Sequence, residues 1–140
     1  MLMTRNQTKP VLTHLEQTWE KFEATLLGLD GCVTPTGRHK APWIEDRLTI
    51  QDLTLVVAQE GGGNFYEAAS DCTRVTFAVG IPSPSPVRIC GIEMDKTRLA
   101  LVRPGDSIIS SATDTCRWLA LSIPIEGFLE ASYRFDPRLS

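Results

Sequence analysis

Residues 73–124 contain five short apolar segments that are separated by turn residues, with no helical period between them. The segments are TRVTFAVGI, VRICGI, TRLALV, SIISS and CRWLALSIP, with PSPSP and RPGD among the separators. Short strands at roughly even spacing bury their apolar faces by closing into a sandwich or a barrel. Strands and helices do not alternate, so a parallel α/β sheet is excluded. The sequence therefore predicts a mainly β, antiparallel fold.

The two faces of the predicted strands differ in side-chain size. On residues 74–81 and 118–123 the larger apolar side chains fall on one face, which we predict to be the core face: Val75, Phe77, Val79, Ile81, Leu119, Leu121 and Ile123. Arg74, Thr76, Ala78 and Gly80 form a small, polar opposite face, which is typical either of a solvent-exposed surface or of a cavity wall.

The first part of the chain has a helical period instead. Val11, Leu15, Trp19, Phe22 and Leu26 recur at steps of three or four, and Gly28 suits a helix stop. We therefore predict an amphipathic helix over residues 11–27 that packs on the sheet or contacts a partner. A second, short helix is predicted over residues 125–133.

Composition limits the classes of function. The 140 residues carry a formal net charge of −3 and scattered basic residues, which argues against a nucleic-acid surface. No apolar run reaches the roughly 20 residues that span a bilayer, and the first ten residues do not resemble a signal peptide. We therefore expect a cytoplasmic protein without a membrane partner, whose four cysteines are reduced thiols. Cys90 and Cys116 stand in strand-like segments and are predicted to be core residues.

The sequence contains no pattern that predicts catalysis or cofactor binding. Gly61-Gly62-Gly63 precedes neither GK[ST] nor a helix, so it is interpreted as a hairpin turn rather than a phosphate loop. The two histidines, His14 and His39, do not suffice for a histidine-rich metal site. We therefore expect no enzyme activity, no catalytic residue, no metal and no cofactor.

Binding remains as the expected type of function. Trp118 lies opposite the predicted core face of the last strand, where an aromatic side chain fills a second packed layer, forms an interface or lines a pocket. Arg74 and Arg88 are placed to reach an anionic ligand or to be solvated. Trp118, Arg74, Phe77 and Arg88 are the four predicted ligand-binding residues.

The order of two stretches resembles a known family. RVTFAVGI, a spacer and then RLALVRPGDSIISSATDTCRWLALSIP are similar to the N-terminal regulatory domain of AraC-type transcription regulators, in particular the subgroup of ethanolamine-operon activators. The resemblance covers about residues 48–130. It implies a cupin-like antiparallel β-barrel or jelly roll that senses an effector or mediates dimerisation.

The resemblance also implies a domain division and a set of partners. Residues 1–10 are expected to be a flexible N-terminus, residues 11–133 a single cupin-like domain, and residues 134–140 a tail or the start of a linker. The family contacts DNA through a C-terminal pair of helix-turn-helix motifs, which these 140 residues do not contain. We therefore expect an excised sensory domain or a stand-alone relative, homodimeric, with a small-molecule effector. The alternatives are a small metal-free cupin-like enzyme and a stand-alone interaction module.

Overall fold

The computed structural model describes residues 9–25, 29–37 and 41–129. In chain order the described strands and helix are β1 (Val11–Gln17), α1 (Trp19–Thr25), β2 (Leu29–Pro35), β3 (Trp43–Ile50), β4 (Leu53–Glu60), β5 (Asn64–Ser70), β6 (Arg74–Ile81), β7 (Arg88–Ile89), β8 (Ile92–Glu93), β9 (Ala100–Val102), β10 (Ser107–Ala112) and β11 (Cys116–Pro124). Residues 125–129 add a helical turn. Neither helical segment of this described part is long and apolar enough to cross a bilayer.

The strands form two antiparallel sheets. The six-stranded sheet has the order β1-β3-β4-β11-β6-β9, and the five-stranded sheet has the order β2-β5-β10-β7-β8. The predicted mainly β, antiparallel fold is therefore confirmed. The predicted closed barrel is not: across residues 9–25, 29–37 and 41–129, no strand of one sheet pairs with a strand of the other.

The predicted N-terminal helix is wrong over its first half. Residues 11–17 form β1, which pairs with β3 over seven residues, with Leu15 opposite Glu45. Because Val11, Leu15 and their neighbours fit either period, the hydrogen bonds offered by the edge of β3 decide the structure. Only Trp19–Thr25 is helical, so a long amphipathic helix is not observed. Leu26 and Gly28 lie outside the described residues.

The hydrophobic core lies between the sheets. Phe22 of α1 is fully buried against Trp43 of β3, with ring centroids 5.0 Å apart. Trp118 packs partly buried against the same cluster. A second cluster contains the fully buried Cys116, which confirms its predicted place in the core.

The face predicted to be the core face of β6 and β11 lies on the outside of the six-stranded sheet, although Val75 on this face is buried, at 2% exposed. Phe77 contacts Phe128 of the helical turn there, with ring centroids 5.9 Å apart. Thr76 and Trp118 point between the sheets instead. Both faces of this sheet are apolar, and hydrophobicity alone therefore does not indicate which face is internal.

The glycine segment 61–63 is not the predicted hairpin turn. It connects β4 to β5, which belong to different sheets. Gly61 O accepts a hydrogen bond from Ala41 N at 3.1 Å, and a Cβ on Gly61 would lie 2.0 Å from Ala41 O. Glycine is needed here because two backbone segments approach closely.

Other turns agree with the sequence. The predicted turn at Arg103–Asp106 has Gly105 at φ +80° and a hydrogen bond from Asp106 N to Arg103 O of 3.0 Å, as in a type II turn. The PSPSP segment is not strand.

Cys90, however, is exposed in the turn between β7 and β8 at φ +49°, so its predicted core position is wrong. Its φ places it in the left-handed region, where a turn rather than a strand forms. All four cysteines are free thiols.

The two ends of the chain are only partly described. Residues 125–129 are helical, in agreement with the start of the predicted helix over 125–133. Ile125 N donates to Thr73 O at 2.9 Å, which fixes the start of this turn beside β6. Residues 1–8 and 130–140 lie outside the described residues, and so do the predicted flexible N-terminus, apart from residues 9 and 10, and the predicted tail.

Candidate binding cavity between the sheets

A cavity of about 70 Å³ lies between the two sheets and beneath α1. Its wall is mainly apolar and includes side chains from both sheets. Five residues with polar atoms line it as well: Glu60, Tyr66, Thr76, Ser110 and Trp118. Since a site needs roughly 10–15 Å³ of such volume to hold one water, the cavity has room for about five waters or for a small organic molecule.

Glu60 places a buried carboxyl group on this wall. It is the last residue of β4 and only 5% exposed. Its Oε1 accepts a hydrogen bond of 2.7 Å from Asn64 Nδ2, and its Oε2 accepts one from Trp118 Nε1. The sheet register produces this arrangement because Cys116 of β11 pairs with Glu60, which places Trp118 two residues further along the same face.

Burial controls the titration of this carboxyl group. Loss of hydration raises the pKa of Glu60, and the hydrogen bonds from Trp118, Asn64 and Cys116 offset only part of that effect. Burial also raises the pKa of the Cys116 thiol, and the negative charge of Glu60 raises it further. Cys116 is therefore an unreactive thiol rather than a thiolate nucleophile.

Asn64 supports the carboxyl group from the first position of β5. It is 1% exposed, and its Nδ2 also donates to Gly62 O at 3.1 Å. Within the described residues its Oδ1 has no hydrogen-bond partner. The glycine connection between the sheets therefore ends in a buried amide that orients Glu60 and leaves one acceptor atom available.

The structure does not bring the four predicted ligand-binding residues together. Trp118 lines the cavity, whereas Phe77 lies on the outside of the sheet against Phe128. Arg88 is exposed, with its Nη2 3.9 Å from Glu93 Oε2. Contact of these four residues with a ligand stays a prediction.

Arg74 links three strands at the far end of the six-stranded sheet. Its Nε donates to Ser122 Oγ at 2.7 Å, and its Nη2 donates to Asp52 O at 2.6 Å and to Ser122 O at 3.1 Å. Because these contacts join the β3–β4 turn to β11 and β6, the observed contacts of the guanidinium group are structural.

Sequence reasoning missed Glu60 and Asn64 as site residues. A signal was present, since Thr54, Val56, Ala58 and Glu60 alternate along β4 and all four are buried. The larger set of Leu53, Leu55 and Val57 concealed it, because size suggested that this other face was internal. Alternation assigns residues to a face but does not say which face is buried.

The described residues contain no group of three or more His, Cys, Asp and Glu side chains placed to hold a metal ion. His14 lies on β1, where its Nδ1 forms a hydrogen bond with Asp46 Oδ1 of β3. His39 lies outside the described residues. The carboxyl group of Glu60 accepts hydrogen bonds from Asn64, Trp118 and Cys116.

The fold and the cavity define a class: a mainly β protein of two antiparallel sheets with a small cavity between them. No protein-family model and no curated protein matches the chain. Two solved structures are similar to it. The EutQ protein of Clostridium difficile is 14% identical with a TM-score of 0.46, over 65% of this chain and 75% of that one. Rru_A2000 from Rhodospirillum rubrum, a cupin-2 domain, is 10% identical with a TM-score of 0.36, over 66% of this chain and 69% of that one.

Proposed function

We propose that this chain is the cupin-like, effector-sensing domain of an AraC-type transcription regulator, and that it binds a small molecule between its sheets without transforming it. The observation that carries the proposal is the buried Glu60 carboxyl group on the wall of a mainly apolar cavity. Apolar cavities with a few oriented polar groups are typical ligand sites. The regulator assignment depends in addition on the sequence resemblance over residues 48–130.

The cavity defines the chemistry of the effector. Its apolar wall favours a hydrocarbon or aromatic body of a few non-hydrogen atoms. The carboxyl group of Glu60 accepts hydrogen bonds from Asn64, Trp118 and Cys116, and its two oxygens together have capacity for about one more. An effector with one N–H or O–H group directed at Glu60 therefore satisfies the site, whereas an anion would meet a carboxyl group and no cation.

A binding experiment tests this proposal. Phenol, 1-butanol and butylamine serve as probes, and binding is measured by calorimetry and by the intrinsic tryptophan fluorescence, to which Trp118 contributes. We expect a dissociation constant below about 1 mM for at least one probe. Ala120→Leu, which fills the cavity, is expected to weaken binding more than tenfold. Ala69→Leu places the same side chain on an exposed position of β5 and is the matched control.

Two outcomes contradict the sensing role. One is that the wild-type chain binds none of the three probes. The other is that Ala120→Leu binds them as well as Ala69→Leu does. The regulator assignment has a separate test, which is the reading frame of the gene. A pair of helix-turn-helix motifs in the same frame supports it, and a frame without them contradicts it.

The proposal assigns partners and location accordingly. The partners are a small-molecule effector, a second copy of the chain, and DNA only through a separate helix-turn-helix domain; the location is the cytoplasm. Trp118 contacts the effector in this proposal because it already lines the cavity. Arg74, Phe77 and Arg88 are assigned no contact with it, since their observed neighbours lie elsewhere.

One observation favours the alternative of a small metal-free enzyme. A carboxyl group with a raised pKa in a cavity is a candidate general acid. Sensing is preferred because the Asn64 and Trp118 donors fix both oxygens of Glu60. Incubation of each bound probe, followed by NMR, distinguishes the two functions: catalysis gives a product that Glu60→Gln does not form, and sensing gives none.

A further inference from the structure

Six large apolar side chains form a continuous row across the outside of the six-stranded sheet. The strand register places them side by side, one on each strand, and we call them the outer row. In sheet order the outer row is Leu12, Leu48, Leu55, Leu121, Phe77 and Leu101. Such a row on the face opposite the core needs an explanation, because a sheet face directed to solvent normally carries polar side chains.

The outer row is accessible from both ends of the sheet. Leu12 is 73% exposed and Leu101 is 51% exposed, and the four residues between them are partly exposed. Ile50 and Leu53 extend the apolar surface along the β3–β4 turn, and both are exposed. Val57 and Leu119 extend it on the other side of the row. The outer face is therefore a contiguous apolar surface rather than a set of scattered side chains.

The size of this surface compares well with that of a dimer interface. Six strands at about 4.8 Å spacing span about 24 Å, and three rows of side chains cover about 20 Å along the strands. The face thus measures roughly 500 Å², and two such faces in contact would bury at most about 1,000 Å², since Phe128 covers Phe77 on one side of it. That value reaches the lower limit for a specific interface and lies near the upper end of the largest apolar patches on monomers.

The charges around the outer face do not oppose a second copy. None of the six residues of the outer row is charged. The adjacent pair His14 and Asp46 lies at the β1 edge and is joined by a hydrogen bond. Without a dominant charge of either sign, the surface offers no specific attraction to a basic or an acidic partner. The outer face is therefore compatible with the same face of a second copy.

We propose that the outer face of the six-stranded sheet is a two-fold symmetric interface with a second copy of this chain. A two-fold axis in the plane of the interface places the outer row of one copy on the outer row of the other, so the residues of the row that Phe128 does not cover meet apolar residues. Two sheets that pack face to face in this way lie about 10 Å apart. The helical turn 125–129 limits the interface on one side, where Phe128 already covers Phe77.

This interface gives a location to the second copy that the proposed function names as a partner, and it rests on that assignment but not on the cavity or on the sensing role. The outer row and the cavity lie on opposite faces of the same sheet, and the association can therefore be measured without an effector. An interface of at most about 1,000 Å² lies at the lower size limit of specific contacts, so we expect a reversible dimer.

The test is sedimentation equilibrium of the complete 140-residue chain between about 1 and 500 μM. We expect a concentration-dependent monomer–dimer equilibrium. Leu101→Asp is expected to raise the dissociation constant more than tenfold. Ile109→Asp is the matched control, since Ile109 is 46% exposed on β10 of the other sheet. Leu12→Asp is a second variant at the opposite end of the outer row, for use if Leu101→Asp does not fold by circular dichroism.

Three outcomes overturn the proposal. A chain that stays monomeric up to 500 μM shows that this face does not associate with a second copy. Coverage of the face by residues 130–140 of the same chain would give the same result. A dimer that neither Leu101→Asp nor Leu12→Asp weakens has its interface elsewhere. A dimer that Ile109→Asp weakens equally has its interface on the five-stranded sheet.

Discussion

Trp118 donates its indole N–H to Glu60 Oε2 across neighbouring strands, so a cavity-lining aromatic side chain and a buried carboxyl group form one unit. The other oxygen of Glu60 accepts from Asn64 Nδ2 at 2.7 Å. Both donors come from positions that the sheets fix, which orients the carboxyl group before any ligand arrives. The unit therefore contributes to stability as well as to the proposed binding site.

Trp118→Phe is expected to destabilise the domain. The substitution keeps most of the aromatic volume but leaves Oε2 of the buried Glu60 without its indole donor. Loss of a hydrogen-bond partner at a buried group costs about 1–3 kcal/mol. Urea unfolding, followed by circular dichroism, measures the change in the free energy of unfolding. A loss below about 0.5 kcal/mol would show that the hydrogen bond contributes little.

Glu60→Gln is expected to change how stability depends on pH. Because burial raises the pKa of Glu60, the folded protein retains this proton more strongly than the unfolded chain does. The associated stability is fully present below the unfolded pKa of about 4.3 and is lost as the pH rises through the folded pKa. Over that range the wild-type chain loses up to about 1.4 kcal/mol per pH unit from this group.

The difference in the free energy of unfolding between the wild-type chain and Glu60→Gln isolates the contribution of Glu60. Denaturant unfolding from pH 4 to pH 8 is expected to show a shallower loss of stability with rising pH for Glu60→Gln. Asp71, Asp95 and Asp106 act in the opposite direction, since hydrogen bonds from neighbouring residues lower the pKa of each. Their contribution is lost as the pH falls below about 3.9, outside this window. Parallel curves for the two proteins would contradict a raised pKa at Glu60.

Gly61→Ala is expected to cost about 2 kcal/mol or more of folding stability. The added Cβ would lie 2.0 Å from Ala41 O, and backbone must move to relieve the clash. Gly127→Ala is the control, because nothing lies within 4 Å of its added Cβ and residues 125–129 are helical. This control is expected to be neutral or to stabilise by up to about 1 kcal/mol. Equal urea midpoints for the two variants would refute the steric argument.

Arg74→Met and Arg88→Met are expected to differ in their effect on stability. Arg74 donates to the buried Ser122 and to Asp52 O, so its replacement should cost about 2 kcal/mol. Arg88 is exposed and lies 3.9 Å from Glu93, so its loss should cost less than about 1 kcal/mol. Arg74→Lys should not restore stability, since an ammonium group lacks the planar fork of donors. Full recovery by Lys would show that charge alone matters.

The sequence was sufficient for the strands and turns that depend on local chemistry. Proline in PSPSP and the Pro-Gly pair of the RPGD turn act through their own backbone restrictions, and the structure agrees at both places. The last strand was predicted well because Pro124 ends an alternating run. These features depend on residues close together in the chain.

The predictions that were wrong concern features that depend on contacts between residues far apart in the chain. β1 is a strand because the edge of β3 is available to Leu15 and its neighbours, which the helical spacing does not reveal. Glu60 was missed because its hydrogen-bond donor Trp118 lies 58 residues away. The internal face of β6 and β11 was assigned wrongly because a face that packs outside the sheet has the same apolar pattern as a core face.

β11 supplies residues to both proposed functional surfaces. Its even-numbered positions include Trp118 and Ala120 in the cavity, and its odd-numbered positions include Leu121 in the outer row. Insertion of a single residue immediately before Cys116 would exchange the two sets along the whole strand. Leucine side chains would then enter the cavity, and the indole would turn to the solvent side. A frame-preserving insertion at this point should therefore abolish the proposed effector binding and the proposed self-association together.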